Sequence, residues 1–318
     1  MKIRQNVYDT YWKTACERQE IFFRKLKGDS PPLTQDPIFQ NYKFCNVYRA
    51  SDRVSQFLIK NVIYSNIYGA KDTLFRIYLF RLLNKNETWE LLEQKLGQIS
   101  LKNFSFEKYS RTLEEIKKET NTIYGNAFIL CANKAFGFDK KHENHLALLD
   151  FVFNISKTSQ DLLNSKSFKE LFQTLKNLPL IGDFMAYQIA IDFNYSEVFN
   201  FDENDFTIAG PGAIRGINKC FINTEGKSNE YIIQYMVENQ EKEFKRLDLN
   251  FKNLWGRPMK EIDCQGWFCE TDKYCRVKFP QLKSNRVKIK THFKPTNSRI
   301  DYFFPPKWNI NNKVTSSL

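Results

Sequence analysis

The chain has 318 residues, of which 42% are hydrophobic, and this is enough to bury the core of one large domain or two smaller ones. Lysine and arginine outnumber aspartate and glutamate by 48 to 36, and the net charge of +12 favours a polyanionic partner such as nucleic acid or an anionic membrane surface; a basic surface that serves only solubility is the alternative. No apolar run has the length of a membrane span, and no apolar signal core follows residues 1–5, so we expect a cytoplasmic protein without a membrane segment.

Apolar residues recur at helical spacing through most of the chain, and alternating strand patterns are scarce. The predicted helices cover residues 1–27, 44–68, 72–83, 88–96, 106–118, 127–135, 146–153, 168–175 and 229–251. The pattern therefore predicts a mainly α fold. We expect residues 1–40 to form an N-terminal helix and loop, residues 41–294 the main domain with a basic C-terminal part, and residues 295–318 a loosely ordered tail.

Seven cysteines are scattered along the chain, and their odd number and wide spacing predict free thiols rather than a disulfide framework. They are Cys16, Cys45, Cys131, Cys220, Cys264, Cys269 and Cys275. The spacing of the last three, with Cys220 as a fourth ligand, matches neither zinc pairs nor iron–sulfur runs. His142 and His145 share a predicted helix face, but their charged neighbours are typical of a protein surface. We therefore expect no metal and no other cofactor.

A hydrophobic turn, LPLIG at residues 178–182, joins the helix over 168–175 to a second helix that starts at Asp183. Such a corner directs backbone N–H groups outward at the start of the second helix, where a nucleic-acid phosphate binds without a side chain. We expect Gly182 to supply the tight turn and the close approach of the backbone, with Leu180 and Asp183 beside the phosphate. An ordinary corner between two helices is the alternative for the pentapeptide alone.

Two aspartates follow the second helix, Asp202 twenty positions and Asp205 twenty-three positions after Gly182. The run VFNF at residues 198–201 is expected to be extended and to bring the chain back along the hairpin. Asp205 stands shortly before a Gly-Pro-Gly turn, at 210–212, that starts another helix. An acid in this place would face the sugar of a nucleotide held by the corner, whereas helix capping and turn formation are its ordinary roles.

A second polar cluster is predicted on residues 46–56. On a helix, Arg49, Asp52, Arg53 and Gln56 are three or four positions apart and share a face. Such a face carries two guanidinium groups, a carboxylate and an amide. It could bind a flipped base and its flanking phosphates by hydrogen bonds, or it could form a ladder of solvated salt bridges. Spacing alone favours the ladder.

A basic region covers residues 273–299. Its cations are Lys273, Arg276, Lys278, Lys283, Arg286, Lys288, Lys290, Lys294 and Arg299, and the aromatic residues Tyr274, Phe279 and Phe293 lie among them. Clustered cations with aromatic rings are typical of a nucleic-acid backbone site, and a solvated tail is the alternative.

The order of hairpin, Gly/Pro-containing loop and aspartate resembles the helix-hairpin-helix DNA glycosylase superfamily. A narrower resemblance covers roughly residues 40–280 and is most specific at DFTIAGPGA, residues 205–213. It is to the helical domain first described beside 5-hydroxymethyluracil DNA kinases, also named the α-glutamyl/putrescinyl thymine pyrophosphorylase family. The stretches that carry it lie at 46–59, 75–89, 188–221, 254–258 and 262–274.

The resemblance implies a helix-hairpin-helix DNA glycosylase-like fold for residues 41–294 and excision of a hypermodified pyrimidine after base flipping. Asp205, with Asp202 as second candidate, would stabilise the positive charge that builds up on the deoxyribose as the N-glycosidic bond breaks. Phe184 stands where bifunctional members carry the lysine that attacks the sugar. A monofunctional hydrolase is therefore implied.

The same resemblance implies double-stranded DNA as the partner, specifically phage DNA with modified bases, in antiviral defence. Backbone N–H groups near Gly182, Gly210 and Gly212, together with the side chain of Arg215, would hold phosphates. The extruded base would enter a pocket lined by Asn46, Tyr48, Arg49, Asp52, Arg53, Gln56, Tyr187 and Gln188.

The chain carries no GxxxxGK[ST] loop, so we expect the kinase half to be absent and favour a standalone excision enzyme. Two alternatives stay open. One is a transferase that modifies 5-hydroxymethylpyrimidines in DNA, and the other is a DNA-binding module without catalysis.

Overall fold

The computed structural model describes residues 1–127, 130, 134–282, 284–289, 291–294 and 300–315. It is mainly helical, and the predicted fold class is confirmed at that level. The chain divides into two compact units: unit 1 comprises residues 1–52 and 206–318, and unit 2 comprises residues 53–205. Within the described ranges, no helix is both long and apolar enough to cross a bilayer.

Helices and helical turns follow one another along the described chain, with two short strands among them. In chain order the elements are β1 (Lys2–Ile3), α1 (Gln5–Lys27), α2 (Pro37–Asn41), a 3₁₀ turn (Arg49–Ser51), α3 (Arg53–Phe57), a π-helical turn (Leu58–Ile63), α4 (Ala70–Leu83), α5 (Asn86–Leu96), α6 (Phe106–Thr120), α7 (Lys141–Asp150), a second π-helical turn (Phe151–Ile155), α8 (Thr158–Leu163), α9 (Phe168–Lys176), α10 (Asp183–Asn194), α11 (Pro211–Cys220), β2 (Phe221–Asn223), α12 (Asn229–Arg246), α13 (Glu261–Lys278), a second 3₁₀ turn (Pro306–Trp308) and α14 (Asn311–Thr315).

Unit 1 is built around α1, α11 and α13. The Trp267 indole N–H donates to the Tyr11 carbonyl (2.9 Å), and the Tyr11 hydroxyl donates to the Cys264 carbonyl (3.2 Å), so α1 is fixed along α13. Tyr11, Trp12 and Trp267 are at most 1% exposed, and burial of rings of this size contributes several kcal/mol, on the order of 2–3 kcal/mol each. Helix α1 ends at Gly28, whose φ of 85° is the left-handed conformation that favours glycine.

Two glycines allow α11 to lie very close to α13. A Cβ atom on Gly216 would lie 2.1 Å from the carbonyl oxygen of Phe268, and a Cβ atom on Gly212 would lie 2.7 Å from Cys269 Sγ. Neither distance is sterically allowed, so both positions need glycine for the packing of these helices. Gly212, which we expected to approach a phosphate, therefore has a structural role inside unit 1.

Gly216→Ala should lower the free energy of unfolding by about 1–3 kcal/mol, because α11 must move away from the α13 backbone to admit a methyl group. Gly266→Ala on α13 is the matched control: a Cβ atom there meets nothing within 4 Å, so the higher helix propensity of alanine should stabilise the protein by about 0.5–1 kcal/mol. Urea unfolding of the two variants measures both changes. Equal stability of Gly216→Ala and wild type would contradict the close packing.

Unit 2 is built around α4, α7, α9 and α10. Two buried arginines of α4 connect its parts. Arg81 forms an ion pair with Asp192 of α10, and both side chains are at most 1% exposed. Arg76 donates to the carbonyl groups of Val62 (2.9 Å) and Ile99 (2.6 Å), which would otherwise be buried without partners at the ends of helical segments.

The surface position predicted for His142 and His145 is wrong. Both side chains of α7 are buried, with 3% and 2% exposure. His145 Nδ1 lies 3.0 Å from the Tyr124 hydroxyl, and His142 Nε2 lies 3.3 Å from Ser110 Oγ. Burial lowers the pKa of both imidazoles, that of His145 to about 3, so both are neutral core groups of unit 2 at neutral pH.

The described cysteines are free, and five of the six are partly or fully buried. The six are Cys16, Cys45, Cys220, Cys264, Cys269 and Cys275; Cys131 lies outside the described residues. Burial raises the pKa of the Cys275 thiol to about 12 and that of Cys269 likewise to about 12. Among the residues that the structure describes, no three histidine, cysteine, aspartate or glutamate side chains are grouped to hold a metal ion.

Three predicted elements differ from the structure. The continuous helix expected over residues 44–68 is wrong, since residues 44–48 are not helical and helical backbone continues only from Arg53. Helix α12 ends at Arg246 rather than at residue 251. The helix expected over residues 127–135 falls mostly on 128, 129 and 131–133, which lie outside the described residues.

Helix α13, with 18 residues, is the largest element that was not predicted from the sequence.

The described part of the C-terminal region, residues 300–315, contains a 3₁₀ turn and α14, and it buries Phe304, Ile310 and Val314 to 4% exposure or less. The Trp308 ring lies 3.7 Å from the centre of the Arg257 guanidinium group, and the Lys313 ammonium group donates to the Trp255 carbonyl (3.0 Å). This segment therefore packs on the 254–258 turn of unit 1.

Candidate functional site

The corner between α9 and α10 is exposed on unit 2 at Gly182 and Asp183. Leu180 has the left-handed backbone conformation (φ 70°), whereas Gly182 has φ −93° and ψ 173°, which any residue adopts. The tight turn expected at Gly182 is therefore made by Leu180 instead. A Cβ atom on Gly182 would meet nothing within 4 Å, and no side chain caps α10, an arrangement that suits an external anion.

A salt bridge lies at the same corner. Asp183, the first residue of α10, is 2.9 Å from the Lys176 ammonium group, and both side chains are about half exposed. Such a surface pair contributes little to stability, at most about 1 kcal/mol. It does offset the negative charge of Asp183, which would otherwise repel a phosphate from this helix start.

Asp202 and Asp205 are both exposed. The Asp202 carboxylate accepts the Asn204 backbone N–H (3.0 Å), and the Asp205 N–H donates to the Asp202 carbonyl (3.2 Å), so Asp202 stabilises a local turn. The preceding run, residues 198–201, forms no strand, and the Phe201 backbone is held by the side chain of Asn194 through two hydrogen bonds of 3.0 Å. A site role for either aspartate stays a prediction.

Three of the predicted pocket residues of unit 2 are packed in its interior. Tyr187 and Gln188 of α10 are at most 1% exposed and Gln56 is 3% exposed, whereas Arg53 is exposed. The first two share α10 with the buried Asp192, so this helix is surrounded by protein along nearly its whole length.

The other four predicted pocket residues belong to unit 1, in the segment 46–52. The Asn46 backbone N–H donates to Asp52 Oδ1 (2.8 Å), and the Asn46 side-chain amide donates to the Ser51 carbonyl (2.7 Å). These side-chain bonds to the local backbone compete with a helix, and for this reason Arg49 and Asp52 do not share a helix face with residues of α3. The expected one-sided ladder is wrong. Tyr48 is buried, and its hydroxyl donates to the Arg257 carbonyl (2.8 Å).

Arg49 is also buried, and its backbone N–H donates to Asp263 Oδ1 of α13 (3.0 Å). Glu270, two helical turns further along the same face of α13, accepts hydrogen bonds from the Cys45 backbone N–H (3.0 Å) and from the Lys273 ammonium group (2.5 Å). Two carboxylates of α13 thus fix the segment in which Asn46 and Asp52 lie. These two remain partly accessible.

Arg18 of α1 faces the same segment. Its guanidinium group interacts through its charge with Asp52, Cys45 and Glu270, and burial lowers its pKa. Burial also raises the pKa of Asp52 to about 6; the hydrogen bond from Asn46 and the charge of Arg18 act in the opposite direction. We call the partly accessible group of Arg18, Asn46 and Asp52 the unit 1 polar cluster.

The start of α11 carries the remaining predicted phosphate contacts. Gly210 caps α11 with its backbone only, while Arg215 is directed to α13 and bonds Asp272 Oδ2 through Nε (3.0 Å). Lys219 (2.8 Å) and Arg276 (2.5 Å) bind the same carboxylate, which is fully buried. Burial alone would raise the pKa of Asp272, but the hydrogen bonds and charges of these cations outweigh it and lower the pKa.

In the basic region, some side chains are buried or engaged in ion pairs, and others are exposed. Lys273 and Arg276 are engaged in ion pairs, and Tyr274 is buried and donates to Asp36 Oδ2 (2.5 Å), so it is no stacking platform. Exposed cations are Lys278, Arg286, Lys288 and Lys294, and Phe293 is 43% exposed. Lys283, Lys290 and Arg299 lie outside the described residues.

Sequence reasoning missed Arg18 and Asp272. Arg18 lies in the predicted N-terminal helix, three residues after Ala15 and four before Phe22. A cation so close to apolar core positions could have been recognised as a partly buried charge. Asp272 lies on the helix that was not predicted, where the apolar residues Trp267, Phe268 and Cys275 recur at three- and four-residue intervals around it.

Comparison with known proteins gives two matches. The family model described as "5-hmdU DNA kinase, helical domain" matches residues 5–284. A curated relative, the "5-hmdU DNA kinase" of Bacillus phage SP10, is 27% identical over 319 aligned positions, which cover 93% of this chain and 49% of the relative. The chain thus spans about half the length of that relative. No solved structure matches.

Proposed function

Because the chain belongs to the family of the 5-hmdU DNA kinase helical domain, we propose that it serves as the DNA-binding helical part of a transferase that modifies 5-hydroxymethylpyrimidines in DNA. The observation that carries this proposal is the extent of the match, residues 5–284, which includes parts of both units. The similarity to a phage enzyme named for the same base supports it.

This proposal replaces the expected excision reaction. A monofunctional DNA glycosylase, that is, a hydrolase acting in antiviral defence, was predicted from the hairpin and the aspartates that follow it. That prediction is wrong, because both matches are to a kinase, which transfers a group to the base and leaves the glycosidic bond intact. The transferase alternative agrees with the matches.

The DNA-binding role rests on charge and on exposed backbone. The net charge is +12, and Lys278, Arg286, Lys288 and Lys294 form an exposed basic stretch in unit 1. In unit 2, the uncapped start of α10 at Gly182 is open to an anion. We propose that the α9–α10 corner is a helix-hairpin-helix of the glycosylase type and that it binds the backbone of double-stranded DNA, including phage DNA with modified bases.

The transfer itself needs a hydroxyl nucleophile that is absent from thymine. The oxygen of the 5-hydroxymethyl group attacks the donor, its proton leaves to a base, and the leaving group of the donor departs with the bonding electron pair. The 5-hydroxymethyl group projects into the major groove, and an enclosed active site can surround it only after the nucleotide is extruded, as in other enzymes that act on a base. The part proposed for this chain is to bind the duplex and to hold that nucleotide.

Binding to matched duplexes tests the proposal. Two duplexes of one sequence, with a single 5-hydroxymethyldeoxyuridine or a thymidine at the same position, are titrated with the full chain at several salt concentrations. We expect about 5- to 10-fold tighter binding of the hydroxymethyl duplex, the effect of one additional hydrogen bond, and no release of free base or alkali-labile sites. Equal affinity for the two duplexes would refute the proposal.

A further inference from the structure

The basic segment after α13 is joined to the end of α2 by a short backbone pairing within unit 1. Two hydrogen bonds, of 3.1 Å and 2.9 Å, connect residues 41–43 with residues 291–293. They enclose Tyr42 and His292, which lie directly opposite each other in an antiparallel bridge. In a pair enclosed in this way the Cα atoms are only about 4.5 Å apart, so the two side chains lie close together.

The rings of Tyr42 and His292 stack on each other. Their centroids are 5.2 Å apart, and their planes differ by 29°. Tyr42 is partly exposed and His292 is exposed. In the part of the chain that the structure describes, no ring other than that of Tyr42 packs on His292. The outer face of the imidazole is therefore accessible to a flat ligand.

The stacked pair is fixed to the core of unit 1 from both sides. The Tyr42 N–H closes the last turn of α2 (3.0 Å), and the neighbouring Phe39 and Phe44 are buried at 6% and 8% exposure with their rings 4.8 Å apart. On the other side, the Arg276 guanidinium of α13 donates to the Lys288 carbonyl (3.2 Å). A surface that is ordered in this way before binding loses little conformational freedom when a ligand stacks on it.

The segment that carries His292 is strongly basic. Residues 273–300 contain nine lysines and arginines and no aspartate or glutamate. The exposed cations nearest to the bridge in the chain are Arg286, Lys288, Lys294 and, on the opposite side, Lys43. We call residues 42–43, 286–289 and 291–294 the unit 1 strip. Its charge suits a polyanion, and its stacked rings suit a partner with flat faces.

An unpaired stretch of DNA has both of these properties. Its bases stack on aromatic side chains, and its phosphates bind to cations beside them. In a duplex, the faces of each internal base are covered by its neighbours, so the same ring cannot be stacked on. An acidic peptide or an anionic lipid surface supplies the negative charge alone.

We propose that the unit 1 strip binds an unpaired segment of DNA, one base of which stacks on the outer face of His292. This inference rests on the proposed function and adds to it a second nucleic-acid site, besides the contact with the duplex. Tyr42 supports the imidazole from behind, and the exposed cations bind the phosphates on either side of the stacked base. Stacking reads no hydrogen-bonding edge, so the site accepts any base.

Two single strands of twelve nucleotides test the inference. One is a strand of thymidines, and the other carries the same phosphates on abasic sugars. The affinity of the full chain for each is measured by fluorescence anisotropy at several salt concentrations. Wild type should bind the thymidine strand about 10-fold more tightly, the effect of one base stacked on an aromatic ring. His292→Ala should bring this ratio to about one, whereas His292→Phe keeps a ring and should keep the ratio.

Tyr231→Ala is the matched control. Tyr231 is an aromatic residue of unit 1 that is 41% exposed and lies 4.7 Å from the Lys227 ammonium group, but it belongs to α12 and not to the strip. This variant should leave the ratio at the wild-type value. The double variant Lys288→Gln with Lys294→Gln should weaken binding of both strands alike, and it should reduce the slope of log affinity against log salt by about 1.4, or about 0.7 for each phosphate contact.

Equal binding of the two strands by wild type overturns the inference, because the strip then recognises charge alone, as an acidic peptide or a lipid surface would supply it. A His292→Ala variant that keeps the wild-type ratio overturns it as well. Neither strand contains a hydroxymethyl group, so these results do not depend on the comparison of hydroxymethyl with thymine duplexes. A failure of the proposed function and a failure of this site are therefore distinguishable.

Discussion

Asp272→Asn should lower the free energy of unfolding by about 3–5 kcal/mol, the usual cost of removing one partner from a buried ionic cluster. The carboxylate is fully buried and is bound by Arg215, Lys219 and Arg276, whose side chains are 16%, 5% and 10% exposed. An amide cannot balance three cations, and their mutual repulsion then opposes the contact of α11 with α13. Urea unfolding monitored by tryptophan fluorescence measures the loss.

Asp29→Asn, at an exposed position, is the control for the charge change itself and should stay within about 0.5 kcal/mol of wild type. Acid provides an independent measure. The folded pKa of Asp272 lies below its ordinary value, so its contribution is complete above the unfolded pKa of about 3.9 and is lost as pH falls through the folded pKa. The difference between wild type and Asp272→Asn should therefore shrink below pH 4. A constant difference down to pH 2 would contradict this account.

The second large effect is expected in unit 2. Asp192→Asn should destabilise the protein by about 3–5 kcal/mol, because Arg81 is 1% exposed and would keep a buried charge without its counterion. Arg81 also donates to Asn84 Oδ1 (2.8 Å), and Asn84 ends α4 in the left-handed conformation, so the loss extends to the end of that helix. Thermal and urea unfolding followed by circular dichroism measure it.

Two further variants define the cause of that loss. Asp139→Asn breaks an ion pair with Lys134 in which the carboxylate is 88% exposed, and it should cost no more than about 1 kcal/mol. The double variant Arg81→Met with Asp192→Leu removes both buried charges and should recover most of the stability lost in Asp192→Asn. If the double variant is no more stable than Asp192→Asn, the loss comes from packing and not from the isolated charge.

The helices were predictable where one apolar stripe faces one neighbour. Helix α9 is such a case: Phe168, Leu171, Phe172 and Leu175 recur at helical spacing, all four are buried, and Ser167 caps its start. The helix prediction for the segment 46–52 failed because the Asn46 and Ser51 side chains bond to the segment's own backbone, and because two distant carboxylates of α13 hold the N–H groups of Cys45 and Arg49. Helix α13 was missed because it is buried on most sides, and its polar residues are paired rather than solvated.

The candidate site was predictable only in part. Asp52 was proposed from a helix face that does not exist, and Asn46 from the pocket that the family resemblance implies. Both remain candidates because the non-helical segment leaves them partly accessible. The spacing of Arg18 marked it as a cation close to the core positions of α1, but the groups around it were not predictable, since they depend on how α1 lies along α13. The reaction was wrongly predicted because a helical hairpin followed by a Gly/Pro-containing loop and an aspartate indicates how a chain binds a nucleic-acid backbone. The reaction depends on other residues, which this motif does not specify.

The interruption of unit 1 by residues 53–205 has a consequence for synthesis on the ribosome. Cys264 and Trp267, the hydrogen-bond partners of Tyr11, are translated about 250 residues after it, which takes roughly 10–50 s at 5–20 residues per second. During this interval unit 2 is complete and free to fold, while the aromatic face of α1 has no native partner. The aromatic face of α1 is therefore open to non-native contacts until residues 264–267 are synthesised, whereas unit 2 is a continuous segment whose contacts all lie within residues 53–205.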